Sequence, residues 1–368
     1  MGVARALLDP AQHDEFVART REEYVTVRAT HEGRDRKEAR LTLAEARATR
    51  LRVDWAASTP PVPTFLGPRT IRDQPLAELV ERIDWSPFFT TWELAGQYPR
   101  ILSDPTVGRA ATDLFRDAQV LLDRIVRDRL LRANAAVGFW PAASTPDDDI
   151  EVYADETRTT VLARLHTLRQ QMAKTNGRPD VALADYTAPA GSGVADHVGL
   201  FAVTAGIGLD ELRARFMADH DDYGSIMAAA LADRLAEAFA ELLHERVRRT
   251  LWGYAPDEAL DNEALIAERY QGIRPAPGYP SCPDHTEKRT IFDLLDAERS
   301  AGIVLTESMA MLPGASVSGY YFWHPEARYF GLGRIDRDQL EDYARRKGWS
   351  IEEAERWLAP NLMGGILG

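Results

Sequence analysis

The interpretation of this chain starts from the stretch Arg274-Pro-Ala-Pro-Gly-Tyr-Pro-Ser-Cys-Pro-Asp-His-Thr-Glu-Lys288. Its closely spaced prolines exclude a helix or a sheet ladder, because each one lacks an N–H group and fixes φ near about −65°. The residue before each proline is also kept out of the helical region, so an extended, stiff segment is predicted. It carries a guanidinium (Arg274), a glycine that permits close approach (Gly278) and an aromatic ring (Tyr279). A guanidinium fits a carboxylate bidentately, so these groups would suit a small-ligand site. The alternative is a proline-rich connector between two helices.

Composition limits the classes of protein to be considered. A chain of 368 residues with 45% hydrophobic and 27% charged residues has the make-up of an ordinary globular protein, large enough for one to three domains. No apolar run approaches the roughly 20 residues that cross a bilayer, and the N-terminal residues show no signal-peptide core. The single cysteine, Cys282, favours a reducing cytoplasm. A net charge of −13 argues against a nucleic-acid partner.

Common catalytic motifs are missing from the sequence. No Gly-x-Gly-x-x-Gly follows a predicted strand, and neither a Walker-type phosphate loop nor Gly-x-Ser-x-Gly occurs. Cys282 and His285 have the spacing of a metal pair, but a zinc site would need a second pair nearby. The residues therefore indicate a binding site without an evident catalytic group of its own.

Hydrophobic periodicity predicts several amphipathic helices. A helix from near Asp73 would deliver Asp84 beside large aromatic residues, where it could form a pocket floor or equally cap the next helix. On spacing alone Glu237 is a solvated residue of a long helix whose apolar stripe contains Leu231, Leu235 and Phe239. The predicted helices cover residues 73–83, 112–131, 209–220, 223–251, 262–270, 287–301, 337–347 and 351–359.

Predicted strands are grouped rather than alternating strictly with helices. The last of them is expected to pair with its predecessor across the turn at His324 to Glu326, and residues 159–168 fit either a strand or a helix. The predicted strands cover residues 135–140, 150–154, 181–186, 197–204, 304–311, 317–323 and 329–333. Grouping of this kind favours an α+β fold with an antiparallel sheet.

Several stretches, in one order along the chain, resemble the activation domain of cobalamin-dependent methionine synthase. Arg274 to Tyr279 is similar to the Arg-x-x-x-Gly-Tyr motif with which that family binds S-adenosylmethionine. The resemblance extends from about Leu43 to Leu362. The other matching stretches are Ile83 to Phe89, Asp155 to Arg158, Glu307 to Phe330 and Asp342 to Leu362.

The resemblance implies an α+β fold in which a single C-shaped domain contains a twisted antiparallel sheet flanked by helices. Residues 41–368 would form this S-adenosylmethionine-binding activation domain. Residues 1–40, which are polar and charge-mixed, would be a linker from an upstream cobalamin-binding module.

The resemblance also implies the ligand and its site. Arg274 would bind the carboxylate of S-adenosylmethionine, the acidic residues would face its ammonium and sulfonium, and Tyr329 with Phe330 would lie on the adenine side. No catalytic side chain and no metal site is expected. The residues implied around the ligand are Asp84, Glu237, Glu268, Arg274, Ala276, Gly278, Tyr279, Tyr329 and Phe330.

The function implied is reductive methylation, in which an inert cob(II)alamin takes an electron from flavodoxin and a methyl group from S-adenosylmethionine. Cobalamin would be bound mainly by a separate module, with Tyr279 and residues 284–286 facing the corrin. The isolated chain is expected to be cytoplasmic and to lack methionine synthase activity. Two alternatives are a free-standing S-adenosylmethionine-dependent methyltransferase and an interaction module that has lost its ligand. Retention of Asp84, Arg274, Gly278 and Tyr279 counts against the second.

Overall fold

A computed structural model describes residues 7–9, 13–35, 40–174 and 177–362. The contacts of the chain divide it into two compact units. The larger unit consists of Leu51–Leu168 and Val181–Gly331, and the smaller one consists of Met1–Arg50, Arg169–Asp180 and Leu332–Gly368. None of the described helices is long and apolar enough to cross a membrane.

Twelve α-helices are assigned within the described ranges. They are α1 His13–Asp35, α2 Leu43–Ala48, α3 Leu76–Val80, α4 Ser86–Thr91, α5 Gly108–Arg127, α6 Leu209–Ala218, α7 Asp222–Arg246, α8 Asn262–Ile266, α9 Glu287–Leu295, α10 Ala297–Ala301, α11 Arg337–Lys347 and α12 Ile351–Leu358. A π-helical turn, Val247–Leu251, continues α7, and short 3₁₀ turns cover Arg100–Ser103, Leu183–Tyr186 and Ala359–Asn361.

Six strands of the larger unit form one antiparallel sheet. Its strands are β1 Gly67–Ile71, β2 Arg132–Ser144, β3 Asp149–Tyr153, β4 Val161–His166, β5 Asp196–Ile207 and β8 Ser316–Tyr321. Their order is β4-β3-β2-β5-β8, with β1 also paired to β2. Because β2 is long, one of its edges pairs with β1 and then with β3, while the other edge pairs with β5. The short strands β6 Val304–Leu305 and β7 Met311–Leu312 pair separately.

Helices cover both faces of this sheet. Alternate residues of a strand point to opposite faces, and in β5 both faces are buried. Phe201 and Val203 pack in a core with Phe239 of α7. Leu200, on the opposite face of β5, packs in a second core with Phe292 of α9. The prediction of an antiparallel sheet flanked by helices is confirmed.

Capping side chains that can be recognised in the sequence define several helix ends. Thr42 caps α2 in a capping box with Glu45, and the side chain of Asp261 accepts a hydrogen bond at the start of α8. Asp336 caps α11, which ends at Gly348 in the left-handed conformation. These boundaries were predictable because a cap is a local interaction within three or four residues.

Three predicted strands were wrong in whole or in part. Residues 181–186 contain a 3₁₀ turn, because the Asp185 carboxylate accepts the Ala182 N–H at 3.0 Å and closes the turn. Residues 304–311 contain only β6 and the first residue of β7, on either side of a turn at Thr306 to Ala310. Residues 329–333 form no strand, because Ile273 and Pro275 hold the edge beside β8 that this segment was expected to occupy.

The two described helices nearest the binding segment also differ from their predictions. The helix predicted over residues 262–270 ends at Ile266, and Glu268 follows with φ of +54°. The helix predicted to continue to Gly302 is interrupted at Asp296, which has φ of +48° and separates α9 from α10. Of the predicted linker, residues 1–6, 10–12 and 36–39 lie outside the described residues, and α1 occupies most of the remainder.

Candidate ligand-binding site

The proline-rich segment is attached to the edge of the central sheet. Ile273 exchanges two backbone hydrogen bonds with Phe322, at 2.9 and 3.0 Å, and the Tyr320 N–H donates to the Pro275 carbonyl at 2.9 Å. Proline has no N–H to donate, but its carbonyl can still accept. Arg274, between these anchored residues, is therefore held in a defined place although the segment cannot form a regular strand.

A tight turn follows, and it depends on Gly278. The Gly278 N–H donates to the Cys282 carbonyl at 2.7 Å, and the Cys282 N–H donates to the Tyr279 carbonyl at 2.9 Å. Gly278 has φ of +97°, and a Cβ placed there would lie 2.2 Å from Cε1 of His285. Both the backbone conformation and the contact with the imidazole ring therefore require glycine at this position.

A cavity of about 490 Å³ lies against this segment. It is lined by Phe201, Glu237, Glu268, Arg274, Pro275, Ala276, Tyr279, Pro280, Ser281, Val317, Tyr329, Phe330 and Gly331. Most of the residues implied by the resemblance are among them, although they come from α7, the loop after α8, the proline-rich segment and the segment after β8. Asp84 and Gly278 are not among the lining residues.

Asp84 lies in the turn that precedes α4. Its carboxylate accepts the N–H of Ser86 at 2.9 Å, which is a contact at the start of that helix. Trp85 and Phe88, which follow it, are buried with their rings in an edge-to-face contact at 5.5 Å. The observed contact is therefore a local one before α4, whose N-cap residue is Trp85 and has no side-chain capping hydrogen bond.

Arg274 is the cation of the cavity wall, and its partners hold it from behind. Its Nη2 lies 2.7 Å from Oε2 of Glu241. Its Nη1 donates to the hydroxyl of Tyr270 at 2.9 Å and lies 3.2 Å from Nδ1 of His244. Burial opposes the charge, but the Glu241 carboxylate and nearby tyrosines outweigh it and raise the pKa of Arg274, so the guanidinium remains charged.

Two carboxylates line the same cavity. Burial raises the pKa of Glu268, while the charge of Arg274 acts in the opposite direction. Glu237, which spacing alone predicted to be a solvated helix residue, is half-buried in the cavity wall. That prediction failed because α7 packs against the sheet with its leucine stripe, which leaves the face carrying Glu237 directed at the proline-rich segment.

Aromatic side chains complete the wall. Tyr329 accepts the backbone N–H of Arg274 at 3.0 Å, and its hydroxyl lies 3.3 Å from that of Tyr270. Phe330 packs edge-to-face against Tyr186 with ring centroids 6.5 Å apart. Tyr279 is 55% exposed and presents an open aromatic face at the turn.

Glu241, His244 and Tyr270 contact Arg274 but were not predicted from the sequence. For Glu241 and His244 the available signal was their spacing on α7. Glu241 and His244 follow Glu237 at i+4 and i+7, which places all three on one face of the helix. No group of three or more potential metal-ligating side chains was found within the described ranges.

The arrangement suits a particular class of ligand. Its guanidinium can bind a carboxylate, its two carboxylates can compensate a positive charge, and its aromatic rings can pack against a flat heterocycle. Fold and site thus define an α+β domain with a cavity whose lining suits a small ligand that carries both signs of charge.

Comparison with known proteins identifies the family. The family described as "Vitamin B12 dependent methionine synthase, activation domain" matches residues 75–348. A solved structure described as "Crystal Structure of the MetH Reactivation Domain bound to AdoHcy" is similar, with 56% sequence identity and a TM-score of 0.85. The match covers 88% of this chain and 98% of that chain. This chain therefore belongs to the activation-domain family of vitamin B12-dependent methionine synthase, which confirms the resemblance noted in the sequence.

Proposed function

We propose that this chain binds S-adenosylmethionine in the cavity at Arg274 and thereby supports the reductive methylation of cobalamin in methionine synthase. The observation that carries the proposal is the convergence of Arg274, Glu237 and Glu268 with aromatic side chains in one cavity. The similar reactivation domain bound to AdoHcy supports the same ligand class. AdoHcy is the thioether that remains when S-adenosylmethionine loses its methyl group.

The residues fit this ligand group by group. Arg274 would bind the carboxylate, Glu237 and Glu268 would compensate the ammonium and sulfonium charges, and Tyr329 with Phe330 would pack against the adenine. Ala276 lines the cavity, and Gly278 permits the turn that presents Tyr279. Asp84 does not line the cavity, so its assignment to the ammonium side rests on the family resemblance alone. When bound, S-adenosylmethionine supplies an activated methyl group.

The carboxylates of the cavity also provide a reason for product release. Transfer of the methyl group converts a positively charged sulfonium into a neutral thioether. Glu237 and Glu268 then lose an attractive interaction, so the site should prefer the charged ligand. The protein would bind, orient and shield the ligand, and the chemistry of methyl transfer would be that of S-adenosylmethionine and cobalamin.

The proposal extends to partners. Cobalamin would be bound mainly by a separate cobalamin-binding module of methionine synthase, and flavodoxin or a similar protein would supply the electron. Residues 1–40 would act as a charged linker to that module. Tyr279, which is 55% exposed beside the cavity, is suitably placed to meet a partner surface. A cytoplasmic location fits the single cysteine of the chain.

Calorimetry with S-adenosylmethionine on the purified chain tests the binding proposal. Arg274→Ala should weaken binding about tenfold to a hundredfold, because a hydrogen-bonded charge is lost. Arg246→Ala is the matched control, since Arg246 lies on α7 but pairs with Gln74 and Glu78 outside the cavity. Absence of binding to the wild-type chain would reject the proposal, and an unchanged Kd in Arg274→Ala would remove the carboxylate assignment.

A second measurement tests the role in reactivation. A protein that also contains the cobalamin-binding module should form methylcobalamin from cob(II)alamin only when S-adenosylmethionine and reduced flavodoxin are both present. The isolated chain should produce no methionine. Consumption of S-adenosylmethionine by the isolated chain without any corrinoid would instead support a free-standing methyltransferase.

A further inference from the structure

Helix α7 directs a row of polar side chains toward the binding segment. Glu237, Glu241, His244 and Arg248 follow one another at intervals of three or four residues, so they lie on one face of the helix and its π-helical continuation. Glu237 lines the cavity. Glu241 is only 7% exposed, and His244 and Arg248 are fully buried. Behind the cavity wall there is therefore a buried layer of charged and polar groups that do not line it.

Charges in this layer are paired in a definite way. Arg248 forms a bidentate ion pair with Glu258, in which Nε and Nη2 each lie 2.8 Å from a carboxylate oxygen. Glu241 approaches Arg274 at 2.7 Å, whereas its other oxygen lies 3.8 Å from Arg248 and has no hydrogen-bond partner in the described part of the chain. The charge of Arg248 is thus paired mainly with Glu258, and the charge of Glu241 is paired with Arg274.

His244 adds a second constraint on Arg274. Arginine can only donate hydrogen bonds, so the contact of its Nη1 with Nδ1 of His244 at 3.2 Å requires an unprotonated Nδ1. The ring proton then resides on Nε2, which lies 3.3 Å from the hydroxyl of Tyr254. Burial, reinforced by the charges of Arg248 and Arg274, lowers the pKa of His244 well below its usual value and keeps the ring neutral.

The hydrogen bonds and the ion pair of Arg274 leave one part of its guanidinium available. Nη1 is engaged by His244 and Tyr270, and Nη2 is engaged by Glu241. Nε has no hydrogen-bond partner among the described residues, and the side chain is 20% exposed at the cavity. The guanidinium plane is therefore set by groups behind the wall, and the remaining N–H groups can meet a ligand.

We propose that Glu241 is a positioning residue that acts through Arg274 and makes the site selective for ligands with a carboxylate. It would not touch the ligand. Its carboxylate would hold Nη2 so that the open edge of the guanidinium faces the cavity, with Tyr270 and His244 fixing the other nitrogen. This inference rests on the proposed binding of S-adenosylmethionine and assigns the specificity for its amino-acid end.

The test compares two ligands, S-adenosylmethionine and its decarboxylated analogue, by calorimetry. The wild-type chain should prefer the carboxylate-bearing ligand about tenfold to a hundredfold, as expected for a charge-assisted hydrogen bond. In Glu241→Gln this preference should fall to within a few-fold of that in Arg274→Ala. Affinity for the decarboxylated ligand should change much less, because that ligand does not use Arg274.

Glu258→Gln provides the matched control. It removes a buried carboxylate from the same cluster but leaves the pair of Glu241 and Arg274 in place. It should lower the melting temperature and retain the full preference for the carboxylate. A merely structural role of Glu241 predicts that both variants reduce affinity for the two ligands equally.

Tyr270→Phe keeps the proposal falsifiable if Glu241→Gln fails to fold. It removes one oxygen that accepts from Nη1 of Arg274 and keeps the ring, so the preference should decrease several-fold. If Glu241→Gln folds and keeps the full preference for the carboxylate, the positioning role is overturned. If Glu241→Gln does not fold, an undiminished preference in Tyr270→Phe overturns it instead. Failure of the wild-type chain to bind either ligand would reject the proposed function and this inference together.

Discussion

Two arginines, one in each compact unit, differ in what surrounds them. In the smaller unit Arg169 is 0% exposed, its Nη1 donates to the Asp180 carbonyl at 2.6 Å, and its backbone is bound on both sides by Gln339. In the larger unit the side chain of Arg274 is 20% exposed and borders a cavity. Burial of a cation alone therefore does not mark a functional site. The distinguishing feature is a polar edge that opens into a cavity.

The two clusters also serve different physical purposes. Arg169 and Gln339 connect residues 169–180 with α11, and Thr49 donates to the Asp180 carboxylate at 2.6 Å. These bonds join segments that are distant in sequence within the smaller unit. The partners of Arg274 orient one side chain toward a cavity. We expect substitutions in the first cluster to affect stability and those in the second to affect binding.

The largest expected effect is on the stability of the Arg169 cluster. Arg169→Ala should lower the free energy of unfolding by about 3 kcal/mol, because it leaves the Asp180 carbonyl and neighbouring groups buried without a donor. Urea denaturation measures this change. In the folded fraction the Kd for S-adenosylmethionine should match that of the wild type. A loss of affinity comparable to that of Arg274→Ala would break the distinction between the two clusters.

A smaller effect on stability, together with loss of binding, is expected at the turn that follows Arg274. Gly278→Ala introduces a Cβ 2.2 Å from His285 at φ of +97°, so the loop must shift at a cost of about 1–3 kcal/mol. Gly314→Ala is the control, since a Cβ there meets no atom within 4 Å. Thermal melting and calorimetry should show that only the first variant loses stability and affinity. Equal behaviour of the two variants would mean that the turn does not set the cavity wall.

The smallest effect depends on pH and concerns His244. Its pKa is lowered in the folded state, so the unfolded state binds more protons below about pH 6.5 and folding stability should decline as the pH falls. His244→Asn lacks this titration. Below pH 6.5 the wild type should therefore lose free energy of unfolding relative to the variant, by up to about 1.4 kcal/mol for each pH unit. Parallel pH profiles would indicate that His244 is not held neutral beside Arg274.

Comparing the two faces of α7 explains which parts of the site were predictable. The stripe of Leu231, Leu235 and Phe239 indicated the buried face, because apolar periodicity reports burial directly. Glu241 is buried as well, but its partner Arg274 is 33 residues away in sequence. Sequence spacing contains no information about a partner at that distance, so the polar face was interpreted as solvated.

The sequence by itself determined the antiparallel α+β fold and indicated the family, and the family resemblance in turn implied the residues around the ligand. It could do so because motifs, helix caps and apolar periodicity are local properties of the chain. Tertiary structure alone decided that Ile273 and Pro275 occupy the edge beside β8, which residues 329–333 were expected to occupy. It also decided that Glu241 and His244 converge on Arg274. Such pairings depend on which segments meet in space, and the energy of a buried charge is set by those neighbours.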